Sequence, residues 1–480
     1  MKKPSYLKIY EQAVEQIENG FYESGQKIAS IRTCAKEFGV SNTTVELAYQ
    51  RLAEEGYVTP KHGSGYIVSR PIVRYASSPT AVPPEVQKEL DALSRSEQDE
   101  GESNEIDFEF WYDAVDATYF PFRAWARVNR KVLLEAGTKS ISSNDYQGLY
   151  ALREEIARYL TSEYAIRCIP EQIMIAASAH ALVDEIISLF DPVKTTIGVE
   201  NPGFKKIFLR LQKEGFTIKP LPMIPAPTWE DALPYLEGTD VICMTPVSQF
   251  PTNRAVPTAI REQMVKWANE THTYLIDDGY CREFEIGNPR PPALAALDTG
   301  GYVISLGTFS NSFAPSICLS YAVLPPSLMM AWKERGGMAY PSVPWQTQAS
   351  MAEFMSNGDW IDHVRRTRTA VLRKRAMVID AIHTYLDSDF DVVEGENSLF
   401  VLVKAHDGRS EQELIEAAAP AGARVYPTSQ YWYTTPLEDW RYVLIGFAGI
   451  PEFKIESGIK TLAKAWGVRT PNRRSSRKSK

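Results

Sequence analysis

The sequence predicts an α/β protein with two folded parts: an N-terminal winged helix-turn-helix and a larger domain with a mostly parallel central sheet. Three observations predict it. Residues 1–70 carry helical patterns on either side of a short turn, and a glycine-rich hairpin follows them. An acidic, polar stretch over residues 71–106 separates this part from the rest. Residues 107–468 then alternate short apolar runs with helical patterns, which is typical of buried parallel strands with helices between them.

Composition and charge limit the class of protein. The chain has 480 residues, 44% of them hydrophobic and 23% charged, which indicates two or more globular units. No apolar run is long enough for a membrane span, and the polar N-terminus lacks a signal-peptide pattern. Five scattered cysteines indicate a reducing compartment and show no metal-site spacing. We therefore expect a cytoplasmic protein with no metal site and no membrane partner.

The net charge of −8 argues against a protein that coats nucleic acid, but the charge is unevenly distributed. Residues 1–70 carry nine Lys and Arg against eight Asp and Glu, so the rest of the chain holds a net charge of −9. The N-terminal part is therefore the part that can approach a polyanion.

The N-terminal part contains three predicted helices. Apolar residues at helical spacing predict the first over residues 4–19, and a short helix follows from Ile31 to Phe38. After a turn at Gly39-Val40, a longer helix runs from Asn42 to about Glu55, with Ser41 as its N-cap. Two short strands around a glycine-rich tip complete the unit as a hairpin.

This order of elements favours DNA binding over a merely solvated helical subdomain. A helix-turn-helix places the start of its second helix in the major groove, where short polar side chains contact bases and phosphates. Arg32 is placed to meet a phosphate or a guanine, and the hairpin tip to reach the minor groove. The candidate DNA-binding residues are Arg32, Ser41, Asn42, Thr43, Thr44, Lys61, His62, Gly63 and Gly65.

The segment IASIRTCAKEFGVSNTTVELAYQRLAEEGYV, followed by HGSGYIV, resembles the N-terminal module of GntR-type regulators. The resemblance implies that a homodimer binds a double-stranded DNA operator through two half-sites. One departure is Asn42, where the family usually has arginine. Because arginine favours guanine and asparagine favours adenine, we expect a half-site shifted from G toward A.

In the large domain, the predicted strands include TTIGVE, DVICMTP, HTYLIDD, YVISLGT and SICLSYAVL. Beyond about Met355, a helical stretch leads into a smaller α+β portion that contains SLFVLVKA and RYVLIGFA. The acidic stretch predicts an extended linker with at most one helical patch. Residues 469–480 form a basic tail, either solvated or in auxiliary contact with phosphate.

The large domain resembles the fold-type I aminotransferase domain of the MocR subfamily of GntR regulators. The matching segments are DYQGLYALREEIARYL, IPEQIMIAASAHALVDEI, VENPGFKKI, TPVSQFPTN, YLIDDGYCREFEI and LGTFSNSFAPSICLSYAVLP. The resemblance implies a pyridoxal phosphate pocket in which Asp278 pairs with the pyridine nitrogen and Tyr280 contacts the ring oxygen. It places the remaining contacts, mostly at the phosphate, on Ser178, Ala179, His180, Phe204, Thr308 and Ser310.

The family's Schiff-base lysine is expected at Asn311, and an amide is neither a nucleophile nor a base at neutral pH. The resemblance also places Cys318 where the family has a phosphate-pairing arginine, Phe204 for a tyrosine, Ser248 for a histidine and Leu444 for a carboxylate-binding arginine. Two alternatives remain for the pocket. In the first, pyridoxal phosphate binds non-covalently, either free or as an adduct with an amino acid. In the second, the pocket binds another small molecule or none. If Asp278 does not contact a cofactor, its alternative role is structural, as a cap of a neighbouring element.

These features predict a DNA-binding transcriptional regulator whose degenerate large domain senses a small-molecule effector without catalysis. The rival is a pyridoxal phosphate-dependent aminotransferase with a DNA-binding appendage, which would need a lysine at position 311. A third possibility, an interaction scaffold, would have an occluded pocket.

Overall fold

The computed structural model describes residues 5–61, 65–69, 83–99, 106–137, 145–222, 228–287, 290–338, 340–386, 388–395, 397–436 and 439–468. The chain divides into two compact units, Met1–Glu102 and Ser103–Lys480. The predicted DNA contacts His62 and Gly63 and the basic tail lie outside the described residues.

The N-terminal unit begins with three helices and a two-stranded antiparallel hairpin, as the sequence predicts. They are α1 (Ser5–Glu18), α2 (Ile31–Phe38), α3 (Asn42–Glu54), β1 (Val58–Lys61) and β2 (Gly65–Val68). Ser41 caps α3, because its Oγ accepts a hydrogen bond from the backbone N–H of Thr44 at 3.2 Å. Val45, Ala48 and Leu52 turn one face of α3 into the core of the unit.

The acidic stretch contains a further helix, α4 (Pro84–Asp99). This helix is the one helical patch that the prediction of an extended linker allowed. The physical reason is local: Glu, Gln, Lys and Leu are good helix formers, and proline is well tolerated at the first helical position. An i,i+4 hydrogen bond from Gln87 to Asp91 (2.8 Å) adds support.

A seven-stranded sheet is the centre of the large unit, in the order β4-β10-β9-β8-β7-β5-β6. All of its strands are parallel except β10, which is antiparallel to both neighbours. The strands are β4 (Ile173–Ala176), β5 (Thr196–Asn201), β6 (Thr217–Pro222), β7 (Val241–Met244), β8 (Tyr274–Asp278), β9 (Val303–Thr308) and β10 (Ser320–Val323). The predicted mostly parallel sheet is confirmed.

One predicted strand was too long. The run SICLSYAVL becomes strand only from Ser320, because a short 3-10 turn over Pro315–Ile317 precedes it. Cys318 then takes a left-handed backbone conformation (φ 47°), which no β-strand accommodates.

Helices cover the sheet on both faces. They are α5 (Phe122–Ala136), α6 (Tyr150–Tyr164), α7 (Ala179–Ile187), α8 (Lys205–Glu214), α9 (Trp229–Leu236), α10 (Thr258–Thr271), α11 (Leu294–Leu297), α12 (Pro326–Glu334) and α13 (Trp345–Ser356). In the described part of the chain, no helix is long and apolar enough to cross a membrane.

A long helix, α14 (Asp359–Tyr385), leads into a smaller α+β portion, as predicted. Its four-stranded antiparallel sheet has the order β11-β12-β15-β14, and β13 pairs in parallel with β3 near the start of the unit. The elements are β3 (Phe108–Glu109), β11 (Phe390–Val393), β12 (Phe400–Ala405), α15 (Glu411–Ala418), β13 (Ala423–Arg424), β14 (Tyr426–Pro427), β15 (Val443–Gly446) and α16 (Glu452–Ala465).

Candidate functional site

The first candidate surface is the start of α3 with the residues around it. Arg32, Asn42 and Thr43 are exposed. The hydroxyl groups of Ser41 and Thr44 lie 2.8 Å apart, and the Ser41 hydroxyl also caps the helix. These two hydroxyls therefore stabilise the helix start, whereas Asn42 and Thr43 present their side chains to solvent.

The hairpin supplies the second part of this surface. Lys61 is exposed at the end of β1, and Gly65 opens β2 with a φ of +88°. That conformation is unfavourable for any residue with a Cβ, so glycine suits this position. The described ends of the hairpin thus carry one cation, Lys61.

The second candidate site lies at the carboxyl ends of the parallel strands in the large unit, where such sheets bind ligands. Asp278 ends β8 and Phe204 precedes α8, and both line one cavity of about 20 Å³ with Glu200 of β5. This volume holds about one water molecule, whereas small-molecule pockets usually measure about 300–1,000 Å³.

Two carboxyl groups determine the electrostatics of this cavity. Burial, with the charge of Asp277, raises the pKa of Asp278 to about 6, although Arg282 opposes the shift. Burial raises the pKa of Glu200 to about 8, against the effect of a 2.7 Å hydrogen bond from the Thr245 hydroxyl. None of the described residues that line the cavity is Lys or Arg. The cavity therefore suits a cationic nitrogen better than an anion.

Aromatic rings fill the space beside Asp278. Phe204 stacks on Phe250 with ring centroids 4.7 Å apart, and Tyr280 meets both rings edge-on at 5.7 and 6.2 Å. The Tyr280 hydroxyl is buried and has no hydrogen-bond partner among the described residues. Gly279 separates Asp278 from Tyr280, and a Cβ there would lie 2.7 Å from the Leu306 carbonyl oxygen. Only glycine fits this close approach.

Two of the hydroxyl groups expected near a phosphate, those of Ser178 and Thr308, already accept hydrogen bonds within the protein. The Ser178 hydroxyl caps α7 by accepting from the Ala181 N–H at 3.2 Å, and Ala179 and His180 follow as the first helical residues. The Thr308 hydroxyl accepts from the Ser310 N–H at 3.1 Å. Burial and the charge of Lys206 lower the pKa of His180, which keeps its imidazole neutral. Cys318 is exposed. An anion here would rely on the N–H groups of the α7 terminus.

Asn311 lines a different cavity, of about 10 Å³, together with Asp116 and Lys374. Lys374 is 1% exposed, and its Nζ donates to Asp116 Oδ2 and to the Ala448 carbonyl oxygen, both at 2.7 Å. Burial lowers the pKa of this lysine, and the ion pair opposes the shift. Lys374 is therefore committed to a structural contact.

The structure brings only some of the predicted residues together. Asp278 and Phe204 share a cavity, and Tyr280 packs on Phe204, while Asn311 lies in a separate cavity. Sequence reasoning missed Glu200 and the pair of Asp116 with Lys374. Glu200 had a detectable signal, because it is a carboxylate inside the apolar run TTIGVE. The ion pair had none, because its members lie 258 residues apart.

Only part of the candidate site fits pyridoxal phosphate. Asp278, Tyr280 and Phe204 suit a protonated nitrogen heterocycle, since they supply a carboxylate, a phenol and a flat apolar surface. Asn311 supplies no amine for a covalent link, and no basic side chain lines the described cavity beside Asp278. The residues thus fit the ring but neither a covalent link nor a strong phosphate contact, and no catalytic step follows from them.

Two family models match the chain. Residues 5–68 match the bacterial regulatory proteins of the gntR family, and residues 112–437 match aminotransferase class I and II. The HTH-type transcriptional regulator YdeL of Bacillus subtilis is 32% identical over 97% of both chains. The probable rhizopine catabolism regulatory protein MocR of Rhizobium meliloti is 24% identical over 96% of this chain and 94% of its own.

Among solved structures, the α-aminoadipate aminotransferase LysN of Thermus thermophilus superposes with a TM-score of 0.66. The match covers 76% of this chain and 92% of LysN at 20% identity, which shows a shared fold. The LysN structure contains N-(5'-phosphopyridoxyl)-L-leucine.

Proposed function

The chain belongs to the MocR-type transcriptional regulators, in which a GntR helix-turn-helix is fused to an aminotransferase-like domain, and from this premise we propose that its large domain is a non-covalent sensor. In this proposal a small molecule binds at Asp278, Tyr280 and Phe204 without being transformed. The DNA-binding surface consists of the exposed residues around the start of α3 and the hairpin.

The observation that carries the proposal is the environment of Asn311. The aminotransferase-class domain suggests pyridoxal phosphate binding, and the resemblance places the cofactor's lysine at this position. When bound, pyridoxal phosphate supplies an electron sink for bonds at an amino acid's α-carbon. Asn311 offers no amine for attachment and no base for moving a proton. Lys374 does not replace it, because its amine is held by Asp116 and Ala448.

The ligand would be held by the carboxyl end of β8. Asp278 would pair with a protonated ring nitrogen, and this cation would favour the ionised carboxylate over the neutral acid that burial favours. Phe204 would stack on the ring and exclude water. Since the cavity now measures about 20 Å³, we infer that Phe204 and the start of α8 move when a ligand enters.

We further propose that the protein works as a homodimer on an operator with two half-sites, as helix-turn-helix proteins generally do. The large domain would have two conformations that differ in DNA affinity. A ligand would shift the balance between them by no more than the difference between its binding free energies for the two conformations. Opening of the cavity at Phe204 is a candidate for that conformational difference.

The test is to mix the purified full-length protein with pyridoxal phosphate and record its absorbance. We expect no band of a lysine-bound cofactor at about 410–430 nm, and no cofactor-modified peptide after borohydride reduction. Asn311→Gln should behave like the native protein. Asn311→Lys should produce the band only if the rest of the pocket accepts pyridoxal phosphate.

A stable adduct on Lys374 or Lys206 of the native protein would overturn the proposal and favour an aminotransferase with a DNA-binding appendage. Equilibrium dialysis separates the remaining alternatives. Non-covalent binding of pyridoxal phosphate that Asp278→Asn abolishes identifies it as the ligand. No binding, together with no band in Asn311→Lys, excludes pyridoxal phosphate and leaves a pocket for another molecule or an interaction scaffold with an occluded pocket.

A further inference from the structure

The outward face of α3 carries an exposed apolar side chain that is not among the candidate DNA-binding residues. Leu47 is 52% exposed, although Val45, Ala48 and Leu52 of the same helix are buried. Thr43 lies one turn before Leu47 and Gln50 lies almost one turn after it, and both are exposed. Residues at i, i+4 and i+7 share one side of a helix, so these three form a single stripe that points away from the core.

This stripe continues the surface that begins at Asn42, at the N-terminus of the helix that enters the major groove. It carries no formal charge, because Thr43, Leu47 and Gln50 are all neutral at physiological pH. Attraction to phosphate therefore does not explain it. Along the floor of the major groove, thymine is the one base that presents a methyl group, and the other base edges present hydrogen-bond donors and acceptors.

We propose that Leu47 packs against the 5-methyl group of a thymine in each operator half-site and so selects for that base. The contact would bury leucine surface that is exposed in the free protein and would displace water from the methyl group. Thr43, whose side chain ends in a methyl and a hydroxyl group, borders the same contact. This inference extends the DNA-binding role that the family membership establishes, and it does not depend on the sensor proposal.

A protein partner is a weaker explanation for this leucine. Apolar patches that bind proteins are contiguous and usually cover several hundred Å². Leu47 stands alone, because Thr43, Glu46 and Gln50 beside it are polar or charged and exposed. A single leucine between polar side chains suits an apolar contact with one thymine methyl group.

The experiment removes only the methyl group. The full-length protein first selects its operator from a random DNA library. Each thymine of that operator is then replaced by deoxyuracil, which pairs identically but lacks the 5-methyl group. We expect one thymine in each half-site at which this replacement weakens binding about fourfold, the effect of losing one buried methyl-sized group.

Two variants assign the effect to Leu47. Leu47→Ala should bind the thymine and deoxyuracil operators equally. Phe21→Ala removes another exposed apolar side chain of the same unit (69% exposed) and should retain the fourfold difference. Circular dichroism of Leu47→Ala should match the native protein, because the side chain is not part of the core.

Two results would overturn the inference. One is a set of operators in which no deoxyuracil replacement affects binding by the native protein. The other is a methyl effect that persists unchanged in Leu47→Ala. A change of oligomeric state in Leu47→Ala, without loss of the methyl effect, would instead assign the leucine to a protein contact. Binding of the native protein to the unmodified operator measures DNA binding itself. Loss of that binding would contradict the DNA-binding role, whereas binding without a methyl effect would contradict only the leucine contact.

Discussion

The two units place their candidate functional residues in opposite environments. In the N-terminal unit, Arg32, Asn42, Thr43 and Leu47 are exposed, and the fold does not depend on them. In the large unit, Glu200, Tyr280 and Lys374 are buried among the residues that hold the fold together. Substitutions in the first unit should therefore change function without changing stability. In the second unit the two effects are coupled, so each variant needs a stability control.

The largest expected difference between the units concerns their ion pairs. Lys374→Met leaves Asp116 buried and unpaired, and we expect the large unit to lose about 3–5 kcal/mol of unfolding free energy. The exposed pair of Arg51 with Glu55, at the end of α3, is the matched case, and Arg51→Met should destabilise the protein far less because solvent screens this pair.

Urea unfolding of the full chain, followed by circular dichroism, measures both. Replacing both members of the buried pair, as in Lys374→Met with Asp116→Leu, should recover most of the loss. Equal losses for the two single variants would show that burial does not distinguish the units.

The second difference concerns pH. Burial raises the pKa of Glu200 from an ordinary value near 4.5 to about 8, so the folded large unit binds a proton that the unfolded chain releases. The free energy of unfolding should therefore fall as the pH rises from about 5 to 8, by at most about 1.4 kcal/mol per pH unit. Above pH 8 this contribution is lost and the curve should flatten.

Glu55 in the N-terminal unit should make the free energy of unfolding depend on pH in the opposite direction. Hydrogen bonds from Tyr10 and Arg51 lower its pKa, so its contribution is present at neutral pH and disappears only in acid. Thermal melts at pH 5, 6, 7 and 8 test the contrast. In Glu200→Gln the dependence of the large unit should become shallower, and a melt as steep as that of the native protein would rule out Glu200 as its source.

The smallest expected effect is on DNA affinity. Arg32→Ala and Lys61→Ala should each reduce the slope of log affinity against log salt concentration by about one, through loss of one phosphate contact. Lys213→Ala on the exposed side of α8 removes an equivalent charge from the other unit and should leave the slope unchanged. Unchanged slopes for both N-terminal variants across a salt series would remove these two residues from the DNA-binding surface.

Sequence reasoning succeeded where the signals were local. The helices α2 and α3, the Ser41 cap and the hairpin follow from apolar spacing and capping residues within a few positions of each other. The strands of the large unit follow from short apolar runs. The helix α4 agrees with the one helical patch that was allowed in the acidic stretch, but its bounds were not predicted.

The candidate site of the large unit was less predictable, because it depends on contacts between distant residues. The resemblance pointed to Asp278 and Asn311, but sequence gives no measure of cavity volume. It could not show that Phe204 stacks on Phe250 beside Asp278, or that Asp116 engages Lys374. Both contacts join residues that are far apart in the sequence, so they form only when the large unit folds.

The pairing of β3 with β13 also affects how the protein is made. Ala423 must reach Phe108 before that pairing closes, whereas every pairing of the N-terminal hairpin lies within eleven residues, from Val58 to Val68. At about 5–20 residues per second, a ribosome needs roughly 20–70 s to synthesise the stretch between β2 and β13. During that interval the nascent chain presents a completed helix-turn-helix and hairpin ahead of an incomplete large unit. Under the sensor proposal, newly made copies encounter operator DNA before the unit that would bind the ligand is complete.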